Sequence, residues 1–313
     1  MLLPFRLAPI YKDYVWGGKK LRPQADITAE AWVVYEQDVV LDGPYAGQTL
    51  AKVIELEGAA LLGSRIVKQS GRRFPLLIKL LDCAAWLSLQ VHPNNVQAKR
   101  LAGPNEYGKT EAWYVIAADT DAQLISGFNQ NVTCPDVIKA AGKKEILDLV
   151  ERRSVKAGDS IFIAPGTIHA IGPGLLIYEV QQNSDITFRV YDWDRPTDGG
   201  RKLHIDESIE ALNPNQKGDV KRFDETAPAT PIKTLAVCEF FSLTMLHGNN
   251  SNVKVNTMGE SFAAITAVNK EISINGGEWA FQLKPLETLF IPAECPPFEV
   301  EFADEANALL ARC

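Results

Sequence analysis

Residues 86–93 read WLSLQVHP, and the alternation of polar and apolar residues in this stretch decides the fold class. Successive side chains of a strand point to opposite faces, so Gln90 and His92 share one face with Trp86 and Ser88. The leucines and the valine lie on the other face. A sheet buries its apolar face, and we therefore expect the polar face to line a cavity that uses these groups.

Similar short runs rich in β-branched and aromatic residues occupy most of the chain, bounded by Gly, Pro or Asn. Before the last third of the chain they are residues 74–82, 86–93, 111–118, 160–164, 175–181 and 186–193. Helical spacing of apolar residues is rarer and predicts helices at 48–63, 95–103, 133–153 and 204–213. Short strands at this spacing favour a mainly-β barrel or sandwich, with small helical insertions, over alternating β and α elements.

The best candidate for a domain boundary is the poorly hydrophobic stretch 213–231. It separates two strand-rich regions. We expect a larger catalytic domain over residues 1–232 and a smaller β domain over 233–313. The smaller domain is expected to be structural, with a lid or an oligomer contact as the alternatives.

Composition excludes several classes of protein. The 313 residues carry a formal net charge of −7, which provides no overall attraction for nucleic acid or an anionic membrane. The opening MLLPFRLAPIYKDY has a proline and charges where a signal peptide needs an apolar stretch. Five scattered cysteines without a C-x-x-C pair indicate reduced thiols. We therefore expect a cytoplasmic protein with no nucleic-acid or membrane partner, either a monomer or a homodimer.

Three segments contain residues suited to holding a metal ion. His92 and Gln90 come from the first strand, Glu111 from KTEAWYVI, and His169 from the corner GDSIFIAPGTIHAIG. Two imidazoles, a carboxylate and a side-chain carbonyl suit a divalent first-row metal. The chain has only four histidines, and two of them lie in such contexts. The sequence therefore predicts one metal, with Gln90 as the fourth ligand.

Several cations occupy strands that are otherwise apolar. Lys79 lies in PLLIKLLD, and Arg189 is flanked by Phe188 and Val190, where a charge is costly without an anionic partner. Asp185 is predicted on the strand face of Arg189, so a structural ion pair between them is one interpretation. With Lys109, these cations also fit a cavity that binds a phosphorylated or carboxylated substrate.

These motifs closely resemble a known family. LSLQVHPNN, KTEAWYV, GTIHAIG and YEVQQNSDITFRVYDWDR, with YKDYVWGG and the AEAW at 29–32, are similar to type I mannose-6-phosphate isomerases (phosphomannose isomerases) in their short bacterial form. The resemblance extends over nearly the whole chain. One departure is Ala164-Pro165-Gly166, where the family has Pro-x-Gly, and we expect a local turn adjustment there with metal binding retained.

The resemblance implies a cupin (jelly-roll) catalytic domain with one Zn²⁺ per chain. It implies interconversion of mannose 6-phosphate and fructose 6-phosphate. The implied zinc ligands are Gln90, His92, Glu111 and His169. The implied catalytic residues are Arg189, Lys109 and Asp185, and the implied substrate-binding residues are Lys79, Lys109 and Arg189.

Other functions fit parts of the pattern. Two histidines and a carboxylate also form the facial triad of Fe(II) dioxygenases, but Gln90 and the cations argue against it. A non-catalytic sugar-binding cupin is disfavoured because every expected site residue is present. An isomerase of another sugar phosphate is harder to exclude. The remaining histidines, His204 and His247, have no partner residues close in sequence and are interpreted as structural.

Overall fold

The computed structural model describes residues 2–129, 131–196, 201–222 and 230–313, and it is mainly β, as predicted. The strands up to residue 128 are β1 Phe5–Ala8, β2 Ile10–Lys12, β3 Glu30–Val34, β4 Val39–Val40, β5 Leu76–Cys83, β6 Leu89–Val91, β7 Glu111–Ala118 and β8 Gln123–Phe128. The strands from 150 to 221 are β9 Val150–Ser154, β10 Ser160–Ile163, β11 His169–Ile171, β12 Leu175–Gln182, β13 Phe188–Tyr191 and β14 Asp219–Lys221. The later strands are β15 Ile232–Val237, β16 Ser242–Gly248, β17 Ser251–Val255, β18 Ala263–Ala267, β19 Ile272–Asn275, β20 Ala280–Leu283, β21 Thr288–Ile291, β22 Phe298–Phe302 and β23 Ala306–Arg312.

Helices are short in the described part of the chain. They are α1 Leu50–Glu57, α2 Ala59–Leu62, α3 Ser64–Ser70, α4 Asn95–Leu101, α5 Cys134–Ala140 and α6 Ile205–Ala211, with 3-10 turns at Gly43–Tyr45 and Lys144–Asp148. None of these helices has the length and apolar character needed to cross a membrane.

One compact unit, the central unit, comprises Lys12–Glu30 and Leu81–Phe223. Strands β14, β10, β7 and β12 lie side by side in that order, and a five-stranded sheet has the order β13-β6-β11-β8-β9. Trp113 and Ile161 from the first sheet share a buried cluster with Leu124 and Ile171 from the second. The two sheets therefore form a sandwich with one core.

The apolar face of β6 packs as its sequence predicts. Leu89 and Val91 are fully buried in a second cluster, which includes Val137 of α5 and Ala211 of α6. These helices cover one face of the five-stranded sheet. Gln90, between the two apolar residues, is consequently directed to the other face.

The other compact unit, the terminal unit, comprises Met1–Tyr11, Ala31–Leu80 and Asp224–Cys313. It contains a sheet of order β15-β16-β23-β18-β21-β1-β4 and a second of order β17-β22-β19-β20. Ile265 of the first sheet and Val300 of the second belong to the same buried cluster. This unit is a second β-sandwich with a core of its own.

These units differ from the division into 1–232 and 233–313 that the sequence predicts. Strand β1 pairs with β21, with Phe5 opposite Phe290, so the N-terminal residues group with the C-terminal segment. A linear change in composition does not reveal pairing over such a separation. Residues 223–229 of the predicted boundary lie outside the described residues.

The helix predictions at 95–103 and 204–213 are confirmed, whereas two others need correction. The predicted helix 133–153 ends at Ala140, and its last residues form β9, which pairs with β8. The helix at 48–63 is interrupted by Gly58, whose positive φ of 52° breaks the helical path. Helix α3, which follows it, has no strong sequence signal.

Candidate metal centre

The predicted metal ligands come together within the central unit. One ligand atom from each of His92, Glu111 and His169 lies within 4.8 Å of the others, and all three residues are buried. His92 follows β6, while Glu111 begins β7 and His169 begins β11. Glu111 Oε2 is 3.4 Å from His92 Nε2, and Oε1 is 3.3 Å from His169 Nε2. Adjacent strands thus direct both imidazoles at one carboxylate.

Backbone carbonyls fix the tautomer of both histidines. His92 Nδ1 lies 2.8 Å from the Ile186 carbonyl, and His169 Nδ1 lies 2.9 Å from that of Thr167. A carbonyl oxygen only accepts, so each Nδ1 donates its hydrogen. In the tautomer with the hydrogen on Nδ1, each ring presents the Nε2 lone pair towards Glu111, which is the arrangement that metal-binding histidines adopt.

The Glu111 carboxylate is left without hydrogen bonds. Neither oxygen accepts one from the described residues, although both are buried. Buried carboxylate oxygens without hydrogen bonds are unfavourable, whereas a divalent cation would satisfy both oxygens and the two Nε2 lone pairs. The donor set therefore fits a metal ion.

Gln90 lies at the edge of this set. Its Cα is opposite that of His169, and its amide nitrogen is 3.2 Å from His169 Nε2. The Ser88 hydroxyl donates to Gln90 Oε1 at 3.1 Å. Exchanging the amide oxygen and nitrogen would direct the oxygen at the centre, and the Ser88 hydroxyl would then accept from the amide NH₂. Both orientations are compatible with Ser88, and the second directs the Gln90 amide oxygen at the candidate site.

Lys109 is buried next to the ligands, on the side of His92. Its Nζ is 3.0 Å from Glu111 Oε2 and 3.2 Å from His92 Nε2. The first contact is an ion pair whose geometry does not make a hydrogen bond. The ammonium compensates part of the Glu111 charge and lies close enough to contact a molecule bound at the centre.

Burial keeps His169 in its neutral form. Desolvation lowers the pKa of the imidazole to about 4, and the charge of Lys109 acts in the same direction. The ring contacts Trp113 edge-on, with centroids 5.5 Å apart, and Trp113 donates its indole N–H to Glu179 at 2.8 Å. Trp113 and Glu179 therefore support the orientation of His169.

The departure at Ala164-Pro165-Gly166 forms a regular turn. The Thr167 N–H donates to the Ala164 carbonyl at 3.2 Å, and Gly166 has a φ of +86°. Proline followed by a residue of positive φ is typical of a type II turn. The Gly166 N–H also donates to the His92 carbonyl at 2.9 Å, which ties this corner to the first ligand segment.

Arg189 occupies β13 with its Cα opposite that of Gln90. Cross-strand partners project from the same face of a sheet, so Arg189 and Gln90 share a face. The side chain is half-buried, and within the described ranges its Nε has no hydrogen-bond partner. Burial lowers the pKa of the guanidinium, and the charge of Arg201 adds to this effect. An anionic group is therefore a favourable partner for Arg189.

Asp185 and Lys79 are the remaining predicted site residues. Asp185 is exposed and precedes β13, and over the described ranges it forms no ion pair with Arg189. Lys79 belongs to the terminal unit, where it is buried on β5 with Nζ 5.2 Å from the centroid of the Trp32 ring.

His204 has a contact that sequence reasoning missed. Its Nδ1 accepts a hydrogen bond from the Arg189 backbone N–H at 3.3 Å, and its own N–H donates to the Arg189 carbonyl at 2.9 Å. Nothing in the local sequence indicates this pairing, because the two residues belong to different elements. His247, in contrast, pairs with Asn307 in the terminal unit, in agreement with a structural role.

The β-sandwich with its buried His–Glu–His set has the architecture of a cupin with a candidate metal site. The profile of the type I phosphomannose isomerase catalytic domain matches residues 4–131. The chain is 34% identical over 311 residues to mannose-6-phosphate isomerase ManA of Bacillus subtilis (strain 168), covering 95% of this chain and 96% of that one. It is 38% identical over 224 residues to the probable mannose-6-phosphate isomerase GmuF of the same organism, covering 68% and 69%.

The crystal structure of the mannose 6-phosphate isomerase from Bacillus subtilis superposes with a TM-score of 0.86 and 29% identity, covering 99% of both chains. The protein belongs to the type I phosphomannose isomerase family. The family resemblance and the cupin fold expected from the sequence are confirmed.

Proposed function

We propose that this protein is a zinc-dependent isomerase that interconverts mannose 6-phosphate and fructose 6-phosphate. The observation that carries the proposal is the buried carboxylate of Glu111 in a chain of this family. It faces two Nε2 lone pairs and accepts no hydrogen bond from the part of the chain that the structure describes. His92, Glu111, His169 and the Gln90 oxygen would hold one zinc ion per chain. Nitrogen and oxygen donors of this kind suit zinc among the divalent metals.

A bound zinc ion would act as a Lewis acid that polarises the substrate carbonyl. Isomerisation moves a proton from C2 to C1 and develops negative charge on an enediol oxygen. Arg189 carries a permanent positive charge on the face of Gln90, and we assign it the stabilisation of this developing charge. Its Nε has no hydrogen-bond partner among the described residues and is a donor available for that contact.

Lys109 is assigned to substrate binding and to catalysis. Its ammonium lies 3.0 Å from the Glu111 carboxylate. The ion pair with this proposed metal-binding residue therefore positions Lys109 before the substrate binds. From there it can donate hydrogen bonds to a sugar oxygen next to the centre. Such a preorganised donor favours the charged transition state.

For Lys79 and Asp185 the assignments stay predictions. Lys79 stays a prediction of a substrate-binding residue that rests on its motif and its burial in a strand. Asp185 stays a predicted catalytic residue, although its exposure makes a role in orienting Arg189 indirect at most. The partner of the protein is a small sugar phosphate, and a cytoplasmic location agrees with five free cysteines.

The test is isomerase activity of the purified protein with mannose 6-phosphate, compared with unphosphorylated mannose and with other aldose phosphates. Chelation is expected to abolish turnover, and added zinc to restore it. Arg189→Ala is expected to lower kcat by about a hundredfold or more, while Arg100→Ala, which removes an exposed arginine paired with Glu210, serves as the matched control. Turnover of a different aldose phosphate at a rate equal to that of mannose 6-phosphate would refute the proposed substrate. Oxygen consumption by the iron-loaded protein would refute the proposed reaction.

A further inference from the structure

Strand β13 lies at the edge of the five-stranded sheet, and none of the described strands pairs with its outward side. Arg189 lies on this edge strand, and its half-buried guanidinium is part of the proposed site. A strand ladder holds an edge strand on one side only, so contacts on its other side help to set the position of the guanidinium. What holds the backbone at Arg189 is therefore relevant to catalysis.

His204 satisfies both outward groups of Arg189. Its backbone N–H donates to the Arg189 carbonyl at 2.9 Å, and its Nδ1 accepts from the Arg189 N–H at 3.3 Å. The register of β13 against β6 shifts between Arg189 and Tyr191. The two hydrogen bonds from His204 therefore lie next to a register shift, where the pairing with β6 is irregular and constrains the backbone of β13 less.

The His204 ring is oriented towards the Arg189 backbone N–H. His204 is the N-cap residue of α6, yet its side chain makes no capping hydrogen bond. Its ring packs near Phe188, with centroids 6.2 Å apart. Accepting from an N–H requires an unprotonated Nδ1, and burial together with the charge of Arg189 lowers the pKa of His204 in support of the neutral form.

We infer that His204 is a positioning residue for Arg189: its Nδ1 and backbone N–H hold the edge strand so that the guanidinium stays on the face of Gln90. Only the expected effect of this role on kcat rests on the proposed function. The contact itself is independent of which sugar phosphate is the substrate.

Asparagine and leucine separate this role from a packing role. Asn Oδ1 occupies nearly the position of His Nδ1 and accepts from an N–H, whereas leucine fills similar space without an acceptor. We expect His204→Leu to lower kcat about tenfold with little change in KM, and His204→Asn to stay within about twofold of the natural protein. His247→Leu removes a histidine whose Nδ1 bonds to Asn307 and is expected to leave kcat unchanged.

The Arg189→Lys background provides a second test. If His204 acts through Arg189, His204→Leu causes little further loss when the guanidinium is already gone. Multiplicative losses in the double variant, or equal damage by His204→Asn and His204→Leu at unchanged metal content and Tm, would overturn the inference.

A measurement that needs no turnover keeps the inference separate from the proposed function. The NMR signal of the Arg189 Nε–Hε group, assigned by its absence in Arg189→Lys, should shift or broaden in His204→Leu and keep its position in His204→Asn. An unchanged signal in His204→Leu overturns the positioning role, even if the protein proves inactive on mannose 6-phosphate. If the natural protein is inactive but the Nε–Hε signal changes in His204→Leu and not in His204→Asn, only the proposed function is refuted.

Discussion

Asp38 lies in the turn between β3 and β4 of the terminal unit, and its carboxyl group is fully buried. Its Oδ2 accepts a hydrogen bond from the Tyr35 N–H at 2.8 Å, while Oδ1 has no hydrogen-bond partner in the part of the chain that the structure describes. Burial raises the pKa of this carboxyl from 3.8 to about 8, against the opposing effect of the Tyr35 hydrogen bond. The group is consequently protonated in the folded protein at neutral pH.

Asp38→Asn removes this titration and keeps an acceptor for the Tyr35 N–H. The raised pKa means that the folded state keeps its proton to higher pH than the unfolded state. Its contribution to the free energy of unfolding is complete below pH 3.8 and is lost as the pH rises towards 8. With about 1.4 kcal/mol for each tenfold change in proton affinity, the loss at pH 7 is at most about 4 kcal/mol.

The net gain at pH 7 is smaller than this limit, because the new amide N–H takes the position of Oδ1 without a partner. That costs about 1–3 kcal/mol, which leaves an expected stabilisation of about 1–3 kcal/mol. The stability difference between variant and natural protein should grow from pH 5 to pH 8 and then level off. The sign and slope follow from the direction of the pKa shift.

Urea unfolding at fixed metal concentration between pH 5 and pH 9 measures this difference. Asp304→Asn, at an exposed carboxylate of the same unit that pairs with Lys270, is the matched control and should show no such slope. A difference between Asp38→Asn and the natural protein that does not change with pH would refute the assignment of a buried, protonated carboxyl.

Three further predictions concern the central unit. Glu111→Gln should weaken metal binding by about a hundredfold or more, since a neutral amide replaces the shared carboxylate, as measured by metal content after dialysis. Lys109→Met should retain the metal but lower kcat about a hundredfold, because the ammonium 3.0 Å from Glu111 is lost; metal content and turnover of one sample separate the two effects. Asp192→Asn should reduce the free energy of unfolding by about 3–5 kcal/mol in urea, because this buried carboxylate binds Arg195 at 3.1 Å and Arg201 at 2.7 Å.

Local pattern was sufficient to predict the face of β6 that carries the site. The alternation of Leu89, Gln90 and Val91 specifies which side chains are buried, and both apolar residues are buried in the described structure. That His92, Glu111 and His169 would lie close together was predictable for a related reason. Histidine and glutamate on the polar side of strands that otherwise read as apolar need a partner, and a metal ion is the partner we propose.

Long-range pairing was not predictable from the sequence. The grouping of β1 with β21 and the hydrogen bonds of His204 with Arg189 join residues with no local relation. The misassigned end of the helix 133–153 has a similar cause, because its last residues gain their strand conformation from pairing with β8. Such choices depend on the neighbours that the folded chain provides.

The most direct test of the metal centre is a zinc titration of metal-free protein, with bound zinc and mannose 6-phosphate isomerisation followed on the same samples. Activity should rise in proportion to bound zinc and level off near one ion per chain. His92→Ala should neither bind zinc at that stoichiometry nor gain activity. Full turnover by the metal-free protein, or by His92→Ala without zinc, would contradict the assignment of this centre.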